Sequence, residues 1–396
     1  MNGFFERLAL WLPHLVQGAF LFAAGACVGS FVNLTAWRLP LGQGIIHPAS
    51  RCCACGRALP WFENIPILSF ILLRGRCRTC GERFGAQHLL VESGVGALFL
   101  ATYLILFAGP WQARAPESAW WWIRSGPLEA LPALAAVLVC WGALTAVSLI
   151  DARTFHVPVR ITLFATVAAF LLWRVQALVP GMSQSLARGR WGLPILPLPV
   201  SVAAVGGMAG LLISGVLLWR RVIPRSFADP HMMEPSPRIV RAEMLKESVF
   251  LAPIAAGIAA GHQLGTVESI QAWCGSPTFA VLGICSAGFL AGGGIVWMTR
   301  ITASLAFGRE AMGLGDVHIL AAAGAALGWK AVVIAFFVAP FLALAWLAVF
   351  GGLHRLLGTR WREIPYGPYL ALACVVSFLG EPWLDPLLRA LFVPPA

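Results

Sequence analysis

The run from Leu131 to Asp151, LPALAAVLVCWGALTAVSLID, carries no charge until its last residue. Its twenty uncharged residues would span about 30 Å as a helix, the thickness of a bilayer's hydrocarbon core. The run ends on a carboxylate. An ionisable group at the edge of the bilayer is costly, so it reads as functional before it reads as structural. A second aspartate occupies a similar place: Gly313-Leu314-Gly315-Asp316 opens another apolar run. Taken singly, either aspartate would serve equally well to cap a helix or to pair with an arginine such as Arg153 or Arg309. Brought together, two carboxylates can share a proton, which is the chemistry of an aspartic protease.

The rest of the chain has the same character. Of its 396 residues 59% are hydrophobic and only 11% charged, against about 25% charged in a soluble domain. About ten spans are expected, near 14–37, 89–108, 131–150, 157–176, 198–219, 249–264, 278–299, 313–328, 331–353 and 367–384. Gln17–Trp37 is long and lacks a small-residue cleavage site, so it is expected as the first span rather than as a removable signal. The fold class is thus an all-α polytopic membrane protein with one small loop domain.

The net charge of +11 is mostly arginine in loops, an orientation signal rather than a sign of nucleic-acid binding. Arg38, Arg51, Arg57, Arg74, Arg76, Arg78 and Arg83 crowd the first long loop. Arg220, Arg221, Arg225, Arg238, Arg241 and Lys246 follow the fifth span. Arg300 and Arg309 follow the seventh, and Arg355, Arg360 and Arg362 the ninth. All of these loops are cytoplasmic if the N-terminus lies outside. That assignment puts Asp151 and Asp316 together near the cytoplasmic face. The alternative is a transporter or scaffold whose aspartates relay protons or bind cations, and internal repeats would favour a transporter. None is seen, because the basic loop has no counterpart in the second half.

The same loop holds two C-x-x-C knuckles, Cys52 to Cys55 and Cys77 to Cys80. The spacing suits a four-thiolate zinc site, and reduced cytoplasmic thiols can ionise onto a metal. Four thiolates close the coordination shell, so the zinc would fold the loop and not hydrolyse anything. Cys53 is spare.

Together these motifs resemble the type IV prepilin peptidases, bifunctional leader peptidases and N-methyltransferases in the GxGD class of intramembrane aspartyl proteases. The resemblance rests on Gly29-Ser30-Phe31-Val32-Asn33 with Arg38-Leu39-Pro40, on the cysteine knuckles flanking Trp61-Phe62-Glu63-Asn64-Ile65-Pro66, and on Glu92. Leu149-Ile150-Asp151, Gly313-Leu314-Gly315-Asp316 and Ile364-Pro365-Tyr366-Gly367-Pro368-Tyr369 complete it. It implies Asp151 and Asp316 as the catalytic pair, and a prepilin or pseudopilin substrate cut at the cytoplasmic face of the inner membrane. It also implies S-adenosylmethionine as methyl donor, with Glu63 and Asn64 as candidates for methyl transfer. Gly313 and Gly315 are expected to leave room for the substrate backbone and to permit positive φ. Two departures stand out: Val159 follows Pro158 where the family usually has an aspartate, and His318 stands where a lysine is usual. A peptidase that has lost methyl transfer would look the same at the aspartates.

The resulting plan is a first helix (1–38), a cytoplasmic cysteine-rich loop domain (39–88), and helices carrying the first aspartate (89–176). An insertion with an extra helix pair follows (177–275), then helices carrying the GxGD tetrad (276–396). The proline-rich stretch around Pro224–Pro237 is expected as a linker.

Overall fold

The computed structural model describes the backbone of residues 2–47, 49–108, 117–226, 236–357 and 365–392, and the side chains of these except 2–10, 117–120, 350–357 and 388–392. Among these residues the chain is helical apart from loops and two isolated bridges. The helices are α1 (Asn2–Arg38), α2 (Leu68–Leu72), α3 (Ala86–Tyr103), α4 (Glu117–Glu129), α5 (Leu131–Thr154), α6 (Val159–Leu178), α7 (Met182–Ala187) and α8 (Leu198–Trp219). They continue with α9 (Pro237–Leu264), α10 (Glu268–Cys274), α11 (Pro277–Phe307), α12 (Leu314–Leu327), α13 (Trp329–Leu357), α14 (Gly367–Leu379) and α15 (Glu381–Phe392). Most of the expected linker, 227–235, lies outside the described residues, as do Arg360, Arg362 and Ile364.

Every apolar run expected as a span is a helix, but the number of crossings is smaller than ten. Among the described residues eight helices are long and apolar enough to cross a bilayer, and a ninth is counted if α14 and the start of α15, bent by 80°, form one span. The remaining run is α12, whose 14 residues are too few to cross alone. Its place explains its length. Ile319, Leu320, Ala323, Ala325 and Ala326 are fully buried, so α12 is a core element walled by other helices. The closest wall is α11, where a Cβ on Gly288 would stand 2.0 Å from the Gly324 carbonyl oxygen. Only backbone can approach that closely, the usual device of packed membrane helices.

The expected helix pair within 177–275 is α8 and α9, packed along Gly206, Gly210, Gly257 and Gly261. Helix α9 begins at Pro237, twelve residues earlier than the apolar run implied. Its first turns carry Arg238, Arg241, Glu243, Lys246 and Glu247, and these charges hide the helix from a hydropathy reading.

Candidate active site

Asp151 sits in the last turn of α5, which stops at Phe155 in the left-handed conformation. The carboxylate is buried, 7% exposed. It is held by backbone rather than by a cation: the Gly367 N–H donates to its Oδ2 at 3.1 Å. A Cβ on residue 367 would stand 2.6 Å from the same oxygen, so glycine is required at the start of α14 for that contact. Arg153, a candidate partner from sequence, donates instead to Gln87 at 2.6 Å and lies over the Trp37 ring.

Asp316 stands in the first turn of α12, 8% exposed, with Gly313 as N-cap. Helix α12 packs on α5, and α14 packs on both. The charge of Asp151 is felt at Asp316, so the carboxylates lie within electrostatic reach of one another. Tyr366 lies beside them. Burial first, and then the charge of Asp316, push its hydroxyl up to about 12, so it stays a neutral donor at ordinary pH.

The glycines of the tetrad act differently from expectation. Gly313 has φ −71°, and Gly315 is not among the residues of positive φ. A positive φ is therefore not what these positions need. Gly315 is instead a contact: a Cβ there would come within 2.6 Å of Val157 Cγ2, in the turn between α5 and α6. Its missing side chain lets the Asp316 turn close onto the segment that follows Asp151.

Residues that sequence reasoning passed over complete the wall. Arg300 of α11, 2% exposed, donates through Nε to both oxygens of Glu247 at 3.3 and 3.2 Å. It also meets Glu310 at 2.5 Å and the Met312 carbonyl. Trp297 Nε1 adds a hydrogen bond to Glu247 at 2.8 Å. In sequence Arg300 reads as one more positive charge for topology, and Glu247 lies just before an apolar run and carries no motif. Of the two departures, Val159 is largely exposed at the start of α6, and His318 is half-buried one turn into α12.

The cysteine loop is a separate construction. The Sγ atoms of Cys52, Cys55, Cys77 and Cys80 all lie within 4.8 Å of one another, and Cys53 stays outside the group. Each knuckle is closed in the same way. Cys52 N–H bonds the Arg57 carbonyl and Gly56 N–H the Cys52 carbonyl; Cys77 N–H bonds the Glu82 carbonyl and Gly81 N–H the Cys77 carbonyl. Gly56 and Gly81 both have φ +71°, the left-handed conformation that favours glycine. Four thiolates about 2.3 Å from a tetrahedral zinc would have sulfurs about 3.8 Å apart; Cys52 and Cys80 are 3.8 Å apart. The donor set fits a metal.

Glu63 is buried beside these knuckles. Its Oε1 accepts from Arg57 at 3.1 Å and lies 3.8 Å from Arg78, while its Oε2 has no partner among the described residues. Asn64 is exposed. Glu92 ties the loop to α3, its Oε2 accepting the Ile67 N–H at 2.8 Å.

Comparison with known proteins bears on both constructions. Residues 23–106 match the model of the bacterial peptidase A24 N-terminal domain, and residues 244–348 match that of the type IV leader peptidase family. The first match takes in the cysteine loop, the second the GxGD tetrad together with Glu247 and Arg300. Both halves of the chain are thus similar to the type IV leader peptidases. A relative from Myxococcus xanthus (strain DK1622), named prepilin leader peptidase/N-methyltransferase, is 52% identical over 82 residues, 21% of this chain and 24% of the relative. One of the same name from Burkholderia pseudomallei (strain K96243) is 33% identical over 233 residues, 52% of this chain and 62% of the relative. The alignments thus span less than two thirds of either protein. One from Aeromonas salmonicida (strain A449) is 24% identical across 97% of this chain and 96% of its own length. No solved structure matches the chain. The second family match begins at Met244, within α9.

Proposed function

We propose that this chain is an intramembrane aspartyl endopeptidase that removes the leader of type IV prepilins or pseudopilins and then methylates the new N-terminus. The supporting observation is the pair of buried carboxylates, Asp151 and Asp316, on different helices and within electrostatic reach. One of them, ionised, takes a proton from water as the hydroxide adds to the scissile carbonyl carbon. The other, protonated, gives its proton to the carbonyl oxygen. On collapse the C–N bond breaks, the leaving amine takes a proton from the first aspartate, and the second aspartate recovers its proton from a hydroxyl of the tetrahedral species. The dyad titrates as a unit, so neither residue owns a separate pKa. Tyr366, neutral beside Asp316, is a further donor for the developing oxyanion.

The substrate would lie with its basic leader in the cytoplasm and its apolar helix in the bilayer of the inner membrane. The arginine-rich loops favour a cytoplasmic dyad with the N-terminus outside. Cys52, Cys55, Cys77 and Cys80 would hold zinc, which orders the loop and takes no part in hydrolysis. S-adenosylmethionine would supply the methyl group. The unpartnered Oε2 of Glu63 is a buried acceptor for a cationic group of the donor or for the new amine, and Asn64 lies at the exposed edge of the same turn.

The test is the reaction itself. A synthetic prepilin segment given to the purified protein with the methyl donor should yield a cleaved product, heavier by one methyl group by mass spectrometry. Asp151→Asn and Asp316→Asn should each lower cleavage by about 10³-fold or more while the protein still accumulates. Cleavage retained in both would remove the dyad, and cleavage without added mass would leave a peptidase alone.

A further inference from the structure

The GxGD tetrad hangs from a short loop, Gly308–Met312, between α11 and α12. Its hold comes from outside the tetrad. Gly308 ends α11 at φ +67°, packed so that a Cβ would stand 2.7 Å from Pro237 at the start of α9. Ser304 accepts the Ala311 N–H at 3.0 Å. Above all, the Arg300 fork grips Glu247 of α9 on one side and Glu310 and the Met312 carbonyl on the other. Glu247 is 4% exposed and is further fixed by Trp297 and by Ser226, the latter at 3.3 Å.

A buried ion pair is a poor source of stability, because desolvation offsets the attraction. Packed apolar residues would hold α9 on α11 at least as well. What they would not do is hold a carbonyl of the loop immediately before Gly313. We infer that Arg300 is a positioning residue for Asp316, clamped by Glu247, and that α9 acts through it to fix the tetrad. The charge of Arg300 is itself felt at Asp316. This inference rests on the proposed peptidase reading. It assigns Arg300 no contact with substrate.

The experiment is steady-state cleavage of the prepilin segment by full-length protein. Removing Arg300 alone would strand a buried carboxylate, so the informative variants are R300M/E247M, which replaces both partners, and R300K, which keeps the charge but lacks the fork. R300M/E247M should lose about 100-fold in kcat with KM within about twofold, as expected when a reacting group is displaced by about an ångström. R300K should recover only part of that loss, to about tenfold below wild type. A purely structural role would lower the yield of folded protein without separating kcat from KM in the fraction that folds. Unchanged kcat in R300K or in folded R300M/E247M overturns the inference. A wild-type protein that does not cut the segment overturns the peptidase reading instead.

Discussion

The aspartate site and the cysteine loop are both built from residues far apart in the chain, but different forces close them. At the aspartates, three helices meet through contacts that only backbone can make: Gly367 against Asp151 and Gly315 against Val157. In the loop there is almost no core. Trp61, Leu68 and Leu72 are 79%, 55% and 78% exposed, and the two knuckles meet at their sulfurs and through polar side chains, Arg57 donating to Thr79 at 2.6 Å and Glu63 lying between Arg57 and Arg78. One site is held by close packing inside a bundle and needs nothing added. The other buries little apolar surface, and its halves join through the sulfur cluster and a few polar side chains, so a metal on the four thiols would add most to its hold. The two should therefore fail independently.

The largest effect expected from a single methyl group is at Gly315. An alanine there meets Val157 at 2.6 Å, and because both groups sit in turns the tetrad must move rather than a flexible tip. Gly315→Ala should lower leader cleavage by about 100-fold with the metal content of the loop unchanged. Val157→Ala in the same protein removes the Cγ2 contact but leaves the Cβ at 2.8 Å, so it should restore activity only in part. Full activity in Gly315→Ala would show that the turn does not depend on this contact.

The converse change falls on the loop. Cys55→Ser or Cys80→Ser removes one of the four sulfurs. Either should release the metal, measured by atomic absorption, and open 50–84 to limited proteolysis. Leader cleavage should fall less than in Gly315→Ala, by about tenfold or less, because the dyad does not rest on the knuckles. Loss of cleavage as complete as in Asp151→Asn would join the two regions into one cooperative unit.

How much of this was legible beforehand follows from the same contrast. The knuckles could be read from spacing because a four-thiolate site is local: each half lies within a few residues, and the glycine after each second cysteine marks its turn. The aspartates could be read from their place at the ends of apolar runs. The helix count could not, because α12 is short for a reason that only neighbouring helices supply. The Arg300–Glu247 pair was also out of reach. Its partners are 53 residues apart, and in a membrane protein an arginine near a helix end reads first as topology. The glycines of the tetrad were found, but the positive φ expected of them is absent, since a sequence shows that a side chain is missing without showing what lies in its place.

The smallest expected effect separates the cysteines from one another. The backbone N–H groups of Cys80 and Thr79 point at Cys77 and lower its thiol to about 6. Cys80 also has a backbone donor, from Glu82, but partial desolvation and the neighbouring Cys77, Cys55 and Cys52 thiols push it up to about 12. An ordinary thiol ionises near 8.5, so Cys77 is depressed and its thiolate is present above pH 6, lost as the pH falls through that value. Zinc must displace whatever protons the four sulfurs carry. At pH 7 uptake by the metal-stripped protein should then release fewer than four protons, and below pH 6 the number should rise as Cys77 takes one up. The apparent affinity should accordingly fall more steeply with acid below pH 6 than above it. Calorimetry in two buffers of different ionisation enthalpy reads the proton count directly. An equal count at pH 7 and pH 5.5 would mean that Cys77 is no readier to ionise than an ordinary thiol, and that the loop must wait for the metal to form its first thiolate.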